Sequence, residues 1–267
     1  MKVQALGRLS GEVLLFGGPY SNLQATEALM ATAAARGIAA DHVICTGDLV
    51  AYCGAPRETV ARIRAWGCTV VAGNCETQLA EGALDCGCGF EAGTACDLLS
   101  RGWFAHADAQ VGAEARRWMA GLPDIVTFEH AGRSVAVLHG GARANNRFLW
   151  PSDPDSAFAA EIAHLREIVG PVDAVIAGHC GLAFERVVAG VSWINAGVIG
   201  LPPHDGRPQT RYAVLGADGA RILRLAYDAA AARRAMEEAG LTQGYHAALT
   251  SGIWPSEEIL PDALRRG

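Results

Sequence analysis

Residues 41–50, Asp41-His42-Val43-Ile44-Cys45-Thr46-Gly47-Asp48-Leu49-Val50, set a short apolar run against a glycine and a carboxylate. An uncharged, β-branched run of this length reads as a strand buried on both faces, not as an amphipathic helix. Residues 70–76, Val70-Val71-Ala72-Gly73-Asn74-Cys75-Glu76, repeat the plan with an amide. Val135-Ala136-Val137-Leu138-His139-Gly140 and Ala174-Val175-Ile176-Ala177-Gly178-His179 repeat it with imidazoles. Such strands present their terminal polar groups at the carboxyl edge of a sheet, where α/β proteins place their chemistry. Asp48, Asn74, His139 and His179 are therefore expected together. One carboxylate, one amide oxygen and two imidazoles suit one divalent transition ion, Mn²⁺, Fe²⁺ or Zn²⁺.

The order Gly-Asp, Gly-Asn, His-Gly, Gly-His resembles the calcineurin-like metallophosphoesterases, in particular their small diadenosine tetraphosphatase-like and phosphodiesterase branch. That branch reads Asp-x-His-Gly-Asn, Gly-Asp-Leu-Val-Gly-Tyr, Gly-Asn-His-Asp/Glu, His-Gly and Gly-His-Thr-His. Here the matching text is Gly47-Asp48-Leu49-Val50-Ala51-Tyr52, Gly73-Asn74-Cys75-Glu76, His139-Gly140 and Gly178-His179-Cys180-Gly181. The likeness continues through Trp193-Ile194-Asn195-Ala196-Gly197 and residues 207–212, so it spans residues 11–226. It implies an α/β fold, the four-layer α/β/β/α sandwich of two mixed sheets.

The departures fall on one side. Aligning Asn22 with the asparagine of the first motif puts Gly18 where the family has its first Asp and Tyr20 where it has His. Cys75 replaces the third motif's histidine and Gly181 the last one. The resemblance assigns one metal to the first Asp, its neighbouring His, the shared carboxylate and the final His, of which only Asp48 remains. It assigns the second to the shared Asp, the Asn, the strand-end His and the first His of Gly-His-x-His, all present as Asp48, Asn74, His139 and His179. The family's histidine at position 75 helps stabilise the phosphoryl transition state. A thiol there is neutral at pH 7 unless perturbed, so efficient hydrolysis by the family's route is not expected.

Composition limits the alternatives. The 267 residues suit one moderate domain with a real core, 51% of them hydrophobic and 19% charged. A net charge of -6 offers no general attraction to a nucleic-acid polymer or an anionic membrane. No run is long enough to span a bilayer and the opening residues lack a signal-peptide core, which reads as cytoplasmic. Eight cysteines are many for a reducing compartment, where structural disulfides are not expected; metal binding, reactive thiols and small buried hydrophobes remain open.

Along the chain, residues 12–16 read as the first core strand and 22–36 as a helix capped by Asn22 and ended by Gly37. Tyr20, in the turn between them, has three roles open: a phenolate-type ligand, a hydrogen-bond donor to substrate, or a plug. A helix is expected over 57–66. Residues 85–122 form a cysteine- and glycine-rich insertion plus a helix over 100–122, whose Trp103, Phe104, Trp118 and Met119 read as core or as a homo-oligomer contact. In the insertion, glycines at 87, 89 and 93 exclude a regular helix, leaving Cys86 and Cys88 to chelate a soft metal, form a redox pair, or simply shape a cap. Hairpins are expected at 125–138 and 211–226 and a helix at 155–169. Arg143 and Arg147 can bind phosphate by their fork geometry, or be ordinary surface arginines. His204 lies in a loop that the resemblance places near the site, where it is a candidate ligand contact or a bystander. Residues 228–267 read as a helical extension.

Three functions fit: a phosphoester hydrolase-like protein with one metal half-site acting on a small phosphorylated molecule, with Tyr20 and Cys75 as candidate catalytic groups; a thiol-assisted metal or redox enzyme using Cys75, Cys180 or the Cys86/Cys88 pair; and a non-catalytic phosphate or nucleotide binder.

Overall fold

The computed structural model describes residues 1–266. The first half runs β1 (Val3–Leu9), β2 (Val13–Phe16), α1 (Leu23–Ala35), β3 (Val43–Cys45), α2 (Pro56–Trp66), β4 (Thr69–Val70), α3 (Asn74–Glu81), α4 (Ala95–Gln110) and α5 (Ala113–Gly121). It continues through β5 (Ile125–His130), β6 (Arg133–Val137), α6 (Asp155–Val169), β7 (Ala174–Ala177), β8 (Phe184–Val188) and β9 (Val191–Asn195). The chain then forms β10 (Thr210–Gly216), β11 (Gly219–Leu225), α7 (Ala229–Glu238) and α8 (Tyr245–Ser251).

Two mixed sheets result. One has the order β1-β5-β6-β7-β9-β8, the other β11-β10-β2-β3-β4. The strands read as buried on both faces sit centrally: β2 and β3 pair in parallel, as do β6 and β7. Val13, Leu15, Ile44 and Val71 from one sheet pack against Val126, Val137, Ile176 and Ile194 from the other, so the sheets meet face to face. The outer face of the five-stranded sheet is covered by Leu29, Ile63, Leu79, Phe104 and Met236 from five helices. The outer face of the six-stranded sheet is covered by Phe158, Ile162 and Leu165 of α6. Helices, sheet, sheet and helix are the four layers.

At three places the structure adds to or departs from the sequence reading. β1 had no signature in the sequence because most of its residues are exposed; it is an edge strand held by parallel pairing to β5. The expected helix over 100–122 is broken in two. Val111 leaves helical geometry at φ −79°, ψ 105°, and Arg116 fixes the break by donating to the carbonyls of Val111 (2.9 Å) and Leu79 (3.0 Å). Finally, although structural disulfides were not expected in this chain, Cys86 and Cys88, for which a redox pair was one of three open roles, are joined as a disulfide.

Candidate metal centre

β3 ends at Cys45, and the chain turns through Gly47 to place Asp48 in the left-handed region at φ 57°. His179, after β7, is held similarly at φ 63°. Non-glycine residues held at positive φ cost about 1–3 kcal/mol each, so the surroundings must fix them. Glu76 does this for Asp48. Its buried carboxylate accepts from the backbone N–H groups of Asp48 (2.8 Å), Leu49 (2.8 Å) and Gly73 (2.9 Å), tying the end of β3 to the start of α3. Burial and the neighbouring Asp48 carboxylate push Glu76 up to about 7, against the pull of those N–H groups.

Four side chains from four strand ends then meet. His139 Nε2 lies 3.0 Å from Asn74 Oδ1, 3.0 Å from His179 Nδ1 and 3.3 Å from Asp48 Oδ2. All four residues are buried, none more than 7% exposed. The outer atoms of the group are fixed by backbone: His139 Nδ1 lies 2.6 Å from the Thr46 carbonyl, and Asn74 Nδ2 donates to the Cys86 carbonyl at 2.8 Å. The first contact requires the Nδ1–H tautomer, which directs Nε2 to the centre, and the second leaves the amide oxygen facing it.

This arrangement fits a cation. In the neutral Nδ1–H ring, Nε2 is a fourth acceptor beside the other three; in the charged ring its single Nε2–H is faced by three acceptors, more than one proton can satisfy. Nitrogen and oxygen ligands about 2.1 Å from a common ion lie about 3.0 Å apart at octahedral edges and about 3.4 Å apart at tetrahedral ones; the three distances from Nε2 fall in that range. Ligand atoms of Asp48, His139 and His179 all lie within 4.8 Å of one another. Electrostatics agree. Burial opposes the charged form of both Asp48 and His139, yet their attraction prevails, holding the carboxyl below and the imidazole above its ordinary value. Burial and the His139 charge push His179 down to about 3, leaving it neutral.

The remaining expected residues divide. Tyr20 is 4% exposed, and its ring lies over Gly18: a Cβ on that glycine, itself at φ 42°, would meet Tyr20 Cζ at 2.6 Å and Val198 Cγ1 at 2.6 Å. The space where the resemblance puts the first Asp is thus filled by the Tyr20 ring. Cys75 is buried, and its backbone N–H lies 3.3 Å from Asp48 Oδ1. Burial and the Asp48 and Glu76 charges push its thiol well up, so it is neutral. Cys180 is likewise pushed up to about 12 by burial. Arg143 and Arg147 are exposed. His204 is turned to another use: Nδ1 accepts from the Trp254 N–H at 2.8 Å and Nε2 pairs with Glu257, so both ring nitrogens clasp the C-terminal tail. That replaces the expected ligand contact.

A narrow cavity of about 40 Å³ opens beside the centre and touches Asp48 and His179. Tyr20, Tyr52, Phe148, Tyr245 and Trp254 contribute to its wall, and Cys75 does not. Burial holds the three tyrosine hydroxyls above their ordinary value, so they are neutral. Sequence reasoning missed Glu76, although a glutamate three residues after Gly73 at a helix start is a legible capping pattern. It also missed Tyr245 and Trp254, which no local pattern marks, because they arrive from the far end of the chain.

Fold and centre together define a metallophosphoesterase-type α/β sandwich. The sequence profile of the calcineurin-like phosphoesterase superfamily domain matches residues 21–219, and the chain belongs to that family. Among solved structures it is similar to a metallophosphoesterase from Sphaerobacter thermophilus (22% identity, TM-score 0.71) and a hypothetical protein from Pyrococcus horikoshii OT3 (14%, 0.73), covering 91% of this chain and 99% of theirs in both cases. A putative diadenosine tetraphosphatase is similar at 14% identity and TM-score 0.51, over 84% of this chain and 98% of that one. No curated protein matches the chain. No helix among the described residues is long and apolar enough to cross a membrane.

Proposed function

We propose that this chain is a phosphoester hydrolase that works with one divalent transition ion, held by Asp48, Asn74, His139 and His179. The observation that carries the reading is the convergence of three buried acceptors on His139 Nε2. When bound, the ion supplies Lewis-acid polarisation of a phosphoryl oxygen. The chain's own groups prepare the place: Glu76 fixes Asp48, the Thr46 carbonyl sets the His139 tautomer, and the Cys86 carbonyl aims the Asn74 oxygen. Net reaction is addition of water across a P–O bond, releasing an alcohol.

The second half-site of the family is closed in this reading. Of the three roles open to Tyr20, the plug is supported by its ring over Gly18. Cys75, neutral and away from the cavity, serves packing beneath Asn74 and not proton transfer. Turnover should therefore be slow. The thiol-based reading is not favoured, since Cys75 and Cys180 are both neutral. The test is hydrolysis of bis(p-nitrophenyl) phosphate by chain titrated with Mn²⁺. Rate should rise in proportion to occupancy, and Asp48→Ala should lower kcat/KM by about 100-fold or more, about 3 kcal/mol of transition-state stabilisation. A rate indifferent to loading contradicts the proposal.

A further inference from the structure

The Cys86–Cys88 disulfide has no part in the hydrolysis proposed above. It joins residues two apart in the sequence. A cross-link stabilises a fold mainly by restricting the unfolded chain, and that effect grows with the length of loop closed, so a bond around one residue is a weak staple. The surroundings are nevertheless built to hold it. Leu84, Asp85, Gly89 and Glu91 are exposed, yet Cys86 and Cys88 turn inward and are buried. Between them Gly87 sits at φ 61° against α3, where an added Cβ would meet Gln78 Nε2 at 2.7 Å. Its carbonyl accepts from Asn146 Nδ2 at 3.0 Å, and its N–H donates to Asp85 Oδ1 at 2.8 Å.

The inner side of this turn meets the metal centre. The Asn74 amide nitrogen donates to the Cys86 carbonyl at 2.8 Å and lies 3.4 Å from Cys88 Sγ, while the amide oxygen lies 3.0 Å from His139 Nε2. The amide is one rigid plane, so whatever turns its nitrogen turns its oxygen. Exposed residues on either side of the pair, Asp85 and Gly89, let local opening of the loop admit a reductant. Reduction then runs by exchange: a thiolate of an external dithiol attacks one sulfur, the displaced cysteine takes up a proton, and the reductant's second thiol releases the other cysteine. The pair gains two electrons and two protons, and the dithiol leaves as a disulfide. Two unbonded sulfurs must separate. With Gly87 wedged against Gln78, the separation shifts the Cys86 carbonyl and the Cys88 side chain, the two groups that aim Asn74.

We propose that Cys86 and Cys88 form a redox site that exchanges electrons with dithiols; its disulfide form holds the Asn74 oxygen on the ion and its reduced form releases it. The coupling to the ion rests on the four-residue centre, whereas the redox chemistry does not. The full chain is prepared oxidised, and a second portion is reduced with dithiothreitol and desalted under argon. Thiols counted in denaturant should rise from six to eight. Mn²⁺ affinity by isothermal titration should fall about tenfold or more on reduction, the scale of losing a ligand's outer partner, and recover on reoxidation. Cys86→Ser and Cys88→Ser should each bind Mn²⁺ as the reduced chain does and ignore dithiothreitol. Circular dichroism checks their folding, and the native comparison decides if neither folds. In the metal-free chain, the ¹⁵N side-chain amide signal of Asn74, identified by its loss in Asn74→Asp, should shift on reduction. Eight thiols in both preparations, an unmoved Asn74 signal, or equal Mn²⁺ affinity in the two states would overturn the proposal and leave the hydrolase reading standing. A gain of two thiols and a shifted Asn74 signal with no Mn²⁺ bound in either state would instead sink the metal centre and leave the redox site.

Discussion

At His139 the Nε2–H faces the Asn74 amide oxygen, the Asp48 carboxylate and the His179 ring nitrogen, all within 3.3 Å. Burial disfavours the imidazolium, but the Asp48 carboxylate more than reverses this and the Thr46 carbonyl adds to it, so the ring holds its proton above its ordinary value. A cation must displace that proton to reach Nε2. The sign follows: below the raised His139 value each ion bound releases about one proton, and affinity falls about tenfold per pH unit as pH drops. Above that value the dependence vanishes. Titrating Mn²⁺ at pH 6 in two buffers of different ionisation enthalpy should give about one proton released per ion; no release would show that His139 is not displaced, and hence is not a ligand. At this scale the site was well marked in the sequence, because each donor follows an apolar run and sits next to a glycine.

At the scale of elements, the centre depends on strand ends being held in register. Glu76 performs this by accepting three backbone N–H bonds that join the turn after β3 to the start of α3. Glu76→Ala leaves those three donors buried without a partner, at about 1–3 kcal/mol each before water or relaxation offsets it. We expect a net loss of about 3–5 kcal/mol in urea unfolding and weakened metal binding. A loss below about 1 kcal/mol would mean that the turn is held by something else. Helices and strands with strong periodicity were legible beforehand. β1 and the break at Val111 were not: an exposed edge strand carries no apolar pattern, and the break is fixed by Arg116 reaching to Leu79, a contact outside any local window.

Over the whole molecule, the two sheets bring Asp48 and His179, 131 positions apart, to one edge, and the C-terminal tail closes the adjoining cavity. Trp254 is pinned by Nε1–H donation to the Pro202 carbonyl at 2.6 Å and by its backbone N–H to His204. The Glu258 carboxylate accepts from the N–H of Ala95, at the head of α4, at 2.6 Å. Nothing in the sequence of the tail announces this, since its partners lie more than 45 residues away; hence the four residues proposed as metal ligands could be read early and the aromatic wall could not.

The most direct measurement is metal content per chain after anaerobic reconstitution, in the native sequence and in Asp48→Ala and His179→Ala. We predict one tightly held ion per native chain and less than about a tenth of that in either variant, a loss of about 1.4 kcal/mol or more in binding. Two ions per native chain, or an ion retained undiminished in both variants, would contradict the single four-residue centre.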